Sequence, residues 1–369
     1  MATTITYGLV RETLPKERRV ALVPEGAERL ISQGHNVLIE TGAGIDAGFG
    51  DSDYSAVGAT VCFSSREVGL GSDVLIKIHS PTDAEYDLLR DGATLMGFLH
   101  LFSPESTALR EAIRTRKANA LSFDLLEEND GSRPVLEAMS AIGGRVAVLL
   151  AAKHMLSSEG GPGRLFGGAP GVPPMRVVII GAGAAGEAAA KEAHRMGAQV
   201  TVLDHDTQSL NRVAMRIDGI VTAIASGPYL NQMLALADLL VCAVSKPGHP
   251  APRIVSRRHV RNMPPGSMII DMSVDEGGCC ETTRAHAQED SYMEEGVRHL
   301  CMPNLPSEVA QTASIAFSNA ILPYLCTLGS TGIAGAMSSE PALYRAAVYV
   351  DGILRNSTVA ELTGEPLGA

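Results

Sequence analysis

Val177-Val178-Ile179-Ile180-Gly181-Ala182-Gly183-Ala184-Ala185-Gly186 is the stretch whose reading decides the fold. A run of four apolar β-branched residues fits a strand buried on both faces of a parallel sheet. It leads into G-x-G-x-x-G and then into an alanine-rich segment, a strong helix former. Each glycine has a separate role: Gly181 makes the tight turn, Gly183 lets a pyrophosphate approach the backbone, and Gly186 permits close packing of helix on strand. Ala184 and Ala185 open the helix, whose N–H groups and dipole favour a phosphate. A second strand, Gln199–Leu203, follows and runs into Asp204 and His205. An acid there accepts hydrogen bonds from an adenosine ribose and repels a 2′-phosphate, so NAD is expected over NADP.

Working outward, short β-branched runs alternate with helical patterns along the first 130 or so residues, which argues for βαβ units around a parallel sheet. Strands are expected at Ile5–Val10, Asn36–Ile39, Asp73–Ile78, Thr94–Leu99 and Ala118–Phe123. Helices fit Pro24–Gln33, Asp53–Val57, Ala84–Leu89 and Glu105–Thr115. Val135–Ser157 reads as one long helix leaving this domain. A loop dense in glycine and proline, Gly160 to Pro174, delivers the chain into the second α/β pattern. Its further strands fall at Gly219–Ile224, Leu239–Val244, Met268–Asp271 and His299–Met302. Two closing helices, Ser307 to about Leu328 and Pro341 to Leu362, are expected to pack back on the first domain. The fold class is therefore α/β, two doubly wound Rossmann-like domains. Residues 1–134 and 311–369 form the catalytic, substrate-binding domain, and 135–310 form an inserted NAD-binding domain joined to it by long helices and a hinge.

The 369 residues carry 45% hydrophobic and 19% charged side chains and a formal charge of -11. That composition folds, and with no basic cluster beyond Arg257-Arg258 it argues against nucleic-acid and anionic-membrane partners. Met1 to Val10 lacks the features of a signal peptide, and no apolar run approaches the length of a membrane span, so a cytoplasmic protein is expected. Six cysteines without a C-x-x-C pair suggest buried free thiols, with neither a metal site nor a disulfide framework.

Several ordered stretches carry a family resemblance: Glu17-Arg18-Arg19-Val20-Ala21-Leu22-Val23-Pro24, Gly42-Ala43-Gly44, Phe98-Leu99-His100-Leu101 and Gly167-Gly168-Ala169-Pro170-Gly171-Val172. The glycine fingerprint, Val244 to Pro252, Ile270-Asp271-Met272-Ser273-Val274-Asp275-Glu276-Gly277-Gly278 and Pro303-Asn304-Leu305-Pro306 add to it. Over essentially its whole length the chain resembles the alanine dehydrogenase family, which shares its architecture with the nucleotide-binding subunit of transhydrogenase. The resemblance implies reversible, NAD-dependent oxidative deamination of an L-amino acid to a 2-oxo acid and ammonia. It assigns Arg19 to the substrate carboxylate, His100 to general acid/base work or carbonyl polarisation, and Asp275 to proton relay or the cationic imine. Ser140, Asp204, Ser226 and Asn304 match cofactor-contacting positions, with backbone contacts around Val244, Met272 and Val274. It further implies a homo-oligomer, a hexamer or a dimer.

The chain departs from the family at one place. Alanine dehydrogenases carry K-x-K-E-P, whose second lysine binds the substrate; here the segment reads Lys77-Ile78-His79-Ser80-Pro81. Lys77 cannot easily substitute, because two residues along a strand shift position by about 6.6 Å. Histidine is shorter and mostly neutral near pH 7. A substrate other than alanine is therefore expected, with His79 in the substrate site. Three other readings remain open: an NADH-dependent imine reductase making an opine-like secondary amine, a transhydrogenase-like NAD-binding module, and an inactive NAD-binding homologue.

Overall fold

The computed structural model describes residues 4–245, 250–284 and 291–368. The chain divides into two compact units, Met1–Met139 with Ser307–Ala369, and Ser140–Pro306. The strands in chain order are β1 Thr6–Leu9, β2 Asn36–Glu40, β3 Thr60–Cys62, β4 Val74–His79, β5 Thr94–Phe98, β6 Asn119–Ser122, β7 Arg176–Ile180 and β8 Gln199–Asp204. They continue with β9 Val221–Ile224, β10 Leu239–Cys242, β11 Met268–Asp271, β12 Tyr292–Glu294, β13 Val297–Leu300, β14 Ala347–Val350 and β15 Ile353–Leu354.

The first unit is an eight-stranded sheet of order β15-β14-β6-β5-β4-β1-β2-β3, the second a seven-stranded sheet of order β12-β13-β11-β10-β7-β8-β9. β1 to β6 pair in parallel, as do β7 to β11 with β13, and among the described residues only β12, β14 and β15 run antiparallel at edges. In each unit the first strand has the second on one side and the fourth on the other, the doubly wound order with a switch point beside the first strand. Central strands bury both faces: every residue of β5, β6, β10 and β11 is buried. That explains the apolar runs of β5, β10 and β11. Val68, Leu75, Leu95, Ile113 and Tyr349 contribute to the core of the first unit, and Val178, Leu203, Leu240, Val255 and Ile269 to that of the second.

The structure corrects four expectations. The segment Thr60–Cys62 and the helix Ser65–Gly71 complete a βαβ unit that the sequence pattern did not separate. Ala84–Leu89 is a 3-10 turn, Asp83–Leu88. The last expected helix, Pro341 to Leu362, is instead the helix Pro341–Ala346, the β14–β15 hairpin and the helix Ser357–Thr363. Asp351 and Gly352 both take positive φ, 52° and 76°. This is the Asp-Gly hairpin turn, which overrides the helical spacing around it. Finally, Pro134–His154 and Leu305–Ser339 are long and apolar enough to cross a membrane by length and composition alone. Their apolarity comes from alanine, glycine and leucine spread between few charges, so no contiguous run announced it. Buried core helices have the same composition.

Candidate functional site

In the first unit the chemistry-bearing residues gather at the carboxyl ends of β1, β4, β5 and β6, where open α/β sheets bind ligands. Glu17 and Arg19 lie in the loop after β1, and His79 ends β4, the next strand across the switch point. The Glu17 carboxylate is fully buried and takes Arg19 in a fork: Nε to Oε1 at 2.8 Å and Nη2 to Oε2 at 2.7 Å. The backbone N–H groups of Arg18 and Arg19 also donate to Oε1. His79 Nε2 lies 2.8 Å from Glu17 Oε2 and 3.1 Å from Arg19 Nη2. An ionised carboxylate only accepts, so Nε2 carries a proton and Nδ1 is the ring nitrogen left to face other partners. Burial pushes the Glu17 carboxyl upward, yet the hydrogen bonds from Arg19 and His79 outweigh it and hold the group well below the usual carboxylate range. Glu17 was not read as a site residue. Its only signal was its place two residues before Arg19 in an extended segment.

Lys77 points away from this group. Its ammonium is buried, 2.7 Å from Glu85 and 3.4 Å from Glu12. Burial lowers its pKa, and the two carboxylates more than reverse that. The pairing of β4 with β5 shifts register between Ile76 and His79. Ser80 donates to the carbonyl of Leu99 at 2.7 Å, tying the end of β4 to that of β5.

His100, just past β5, adopts a left-handed backbone, φ 44°, a strained conformation for a non-glycine residue that clusters at functional sites. Asp124, just past β6, holds it there, accepting the His100 N–H at 3.0 Å and standing 3.3 Å from Nδ1. The ring stacks on Phe98 and meets the edge of Phe102. Ser122 fixes Asp124 in turn at 2.5 Å. Nδ1 faces Asp124, and the half-exposed ring leaves Nε2 as the nitrogen turned to other partners, a placement suited to acid/base work. Asp124 lacked any local sequence signal, because it acts across the pairing of β5 with β6.

In the second unit the fingerprint is built as the glycines require. Gly181 takes φ +105°, and a side chain on it would meet the carbonyl of Ala243 at 2.3 Å. On Gly186 a side chain would meet the Gly181 carbonyl at 1.8 Å, whereas Gly183 faces open space. The helix Ala184–Arg195 starts with no side-chain cap, leaving its first amides for a phosphate. Ala184 and Ala185 form its first turn. Asp204 accepts the Ala182 N–H at 2.6 Å and the Asp206 N–H at 2.9 Å, with His205 Nδ1 3.1 Å away. A carboxylate has lone pairs beyond these two amides, so the cradle and its acid fit a dinucleotide with an unphosphorylated ribose.

The remaining positions fall on neighbouring strand ends. Ser226 precedes the helix Gly227–Leu234 and is exposed. Val244 follows β10, where its carbonyl accepts Ser273 Oγ at 2.6 Å. The Met272 N–H donates to Cys242 at 2.9 Å, and Val274 packs with Tyr292 and Cys301. Their backbones therefore already brace one another. Asp275 sits exposed on the 3-10 turn after β11, its carboxylate 3.4 Å from the N–H of Asn304, itself left-handed at φ 58°. Ser140 lies within the helix Pro134–His154. Of the segment Val244 to Pro252, residues 246–249 lie outside the described residues.

Family models for the alanine dehydrogenase/PNT N-terminal and C-terminal domains match residues 8–143 and 147–357. The chain belongs to the alanine dehydrogenase/PNT family. It is 37% identical to the alanine dehydrogenase of Mycobacterium tuberculosis over 361 residues, 97% of each chain, and 36% identical to that of Methanococcus maripaludis, over 96% of this chain and 95% of the other. A solved L-alanine dehydrogenase superposes with a TM-score of 0.92 at 34% identity, covering 98% of this chain and 99% of the other. A transhydrogenase from Sinorhizobium meliloti gives 0.82 at 27%, covering 95% and 99%. With its family placed, the chain is an NAD-dependent oxidoreductase.

Proposed function

We propose that this NAD-dependent amino-acid dehydrogenase prefers an L-amino acid other than alanine. The observation that carries the reading is the commitment of Lys77 to Glu12 and Glu85, which leaves His79 as the nitrogen base at the end of β4. A histidine tied through Nε2 to Glu17 is shorter and less positive than the family's lysine. It leaves room for a longer substrate side chain, and Nδ1 offers that side chain an acceptor when neutral or a donor when protonated.

In the net reaction an amino acid, water and NAD+ become a 2-oxo acid, ammonium, NADH and a proton. Bound NAD supplies the hydride acceptor. Arg19 receives the substrate carboxylate, the role the family resemblance gives it. Glu17 fixes the plane of that guanidinium. His100, oriented by Asp124, takes protons from the amine and from the attacking water, and Asp275 supplies negative charge for the cationic imine. The family resemblance also supports a cytoplasmic homo-oligomer, a hexamer or dimer. Sedimentation at micromolar concentration is expected to give an assembly, and a monomer would overturn that part.

The test of the substrate is a panel of 2-oxo acids with NADH and ammonium, run on the wild type and on His79→Lys. A longer 2-oxo acid is expected to be the best wild-type substrate, with the preference moving toward pyruvate in the variant. Pyruvate as the clear wild-type optimum refutes the altered preference, and no turnover with any acid refutes the dehydrogenase role of the site.

A further inference from the structure

The second unit brings together cysteines that are remote in sequence. Cys242 ends β10, Asp271 stands beside it in register at the end of β11, and Cys280 follows on the next loop, bridged to Val255. All three are buried, with at most 1% exposure. Cys242 Sγ and Cys280 Sγ lie 3.6 Å apart, and one donor atom from each of Cys242, Asp271 and Cys280 falls within 4.8 Å of the others. Two thiolates on a tetrahedral zinc ion, each at about 2.3 Å, stand roughly 3.7 Å apart. The two sulfurs thus already have the spacing of a zinc-bound pair.

The carboxylate is also oriented for such a role. Asp271 Oδ2 accepts the N–H groups of Cys279 at 2.7 Å and Cys280 at 3.1 Å and the hydroxyl of Thr283 at 2.6 Å. Oδ1 accepts only the Ser273 N–H among the described bonds, at 3.1 Å, and keeps a lone pair. This is the supporting shell that fixes a ligating carboxylate. Cys279, next to Cys280 in the chain, is a further buried thiol whose Sγ faces Ser273 Oγ at 3.3 Å and the Val244 carbonyl at 3.7 Å.

We propose that Cys242, Cys280 and Asp271 form a closed structural site for a thiophilic divalent cation, zinc being the best chemical match, with Cys279 turning in from Ser273 as fourth donor. Thiolates with one carboxylate and no open position suit a structural ion and not a catalytic one. Binding releases thiol protons to solvent as metal–sulfur bonds replace sulfur–hydrogen bonds. The ion would join the end of β10 to the loop after β11, the two segments that Ser273 already links through the Val244 carbonyl. The sequence pattern gave no hint of it, since C-x-x-C spacing is absent and the ligands meet only through strand pairing.

The test uses the full chain produced in cobalt- and in zinc-supplemented medium. One metal per chain is expected by elemental analysis, and the cobalt form should show a thiolate-to-cobalt charge-transfer band. Cys242→Ala and Cys280→Ala should each lose the band, while Cys62→Ala, in the other unit, keeps it. Should the first two variants fold poorly, mass-spectrometric mapping on the wild type decides instead. Removing the metal should raise alkylation of Cys242, Cys279 and Cys280 and leave that of Cys62 unchanged. Absence of stoichiometric metal, a band that survives in the Cys242/Cys280 double variant, alkylation indifferent to metal, or a Cys242–Cys280 disulfide in the purified protein would overturn the site.

Discussion

Asp204→Ala is expected to weaken NADH binding by roughly 1–3 kcal/mol, the range for removing a charged hydrogen-bond partner, or about 5- to 150-fold in Kd. Two contributions enter. In the role proposed for it the carboxylate accepts the ribose hydroxyls, and it also pins the fingerprint turn through the Ala182 N–H at 2.6 Å. Asp204→Asn separates them, because its amide oxygen still accepts the Ala182 N–H while the charge is gone. The Asn variant should therefore lose the smaller part of NADH affinity. Both variants should narrow the gap between NADH and NADPH, since like charges roughly 4 Å apart at an effective dielectric of about 20 repel by about 4 kcal/mol. The chain contains no tryptophan, so the titration follows the emission of the reduced nicotinamide itself, with calorimetry as a check. The reasoning fails if Asp204→Ala binds NADH within twofold of the wild type, or if the NADPH-to-NADH ratio of dissociation constants is unchanged in both variants.

Asp124→Asn should lower kcat/KM by about 10²–10⁴, the usual worth of a positioned general acid or base. The pH–rate profile should change while NADH affinity, measured in parallel, holds. Lys77→Ala leaves Glu12 and Glu85 buried without their cation, so denaturant unfolding should show a loss of about 3–5 kcal/mol. Glu17 has a pKa in the folded protein well below its unfolded value, so its contribution is present above about pH 4.3 and is lost as pH falls. Over that acid range Glu17→Gln should show a shallower dependence of unfolding free energy on pH than the wild type, and parallel curves would count against the buried Glu17–Arg19–His79 group.

What could be read from the sequence was local. The strand, glycine turn and alanine helix from Val177 onward carry their geometry in adjacent residues, and so do the buried runs of β5, β10 and β11. The misread tail shows the limit of that approach: near-helical spacing around Ala347–Leu354 was outweighed by one Asp-Gly turn and by the partner strand β6. The site residues that escaped notice depend on strand order. Glu17 meets His79 only because β1 lies beside β4, and Asp124 meets His100 only because β5 lies beside β6. Cys242 meets Asp271 by the pairing of β10 with β11. No periodicity within a window of residues encodes these neighbours.

The same dependence shows why the Lys-to-His departure is best understood as a change of a group. In an isolated strand, Lys77 and His79 would share a face, and a lysine two residues back would seem a partial replacement for the missing one. The structure instead gives Lys77 two buried carboxylates, and removing it from them would leave those charges uncompensated, a cost of several kcal/mol that substrate binding would have to overcome. His79 in turn is held by a Glu17 carboxylate already forked onto Arg19. In the proposed function a substrate meets here a guanidinium and an imidazole whose positions are both set by one buried acid. Specificity then follows from what Nδ1 of His79 and the space around it accept, and restoring lysine at position 79 tests the whole Glu17-centred group at once.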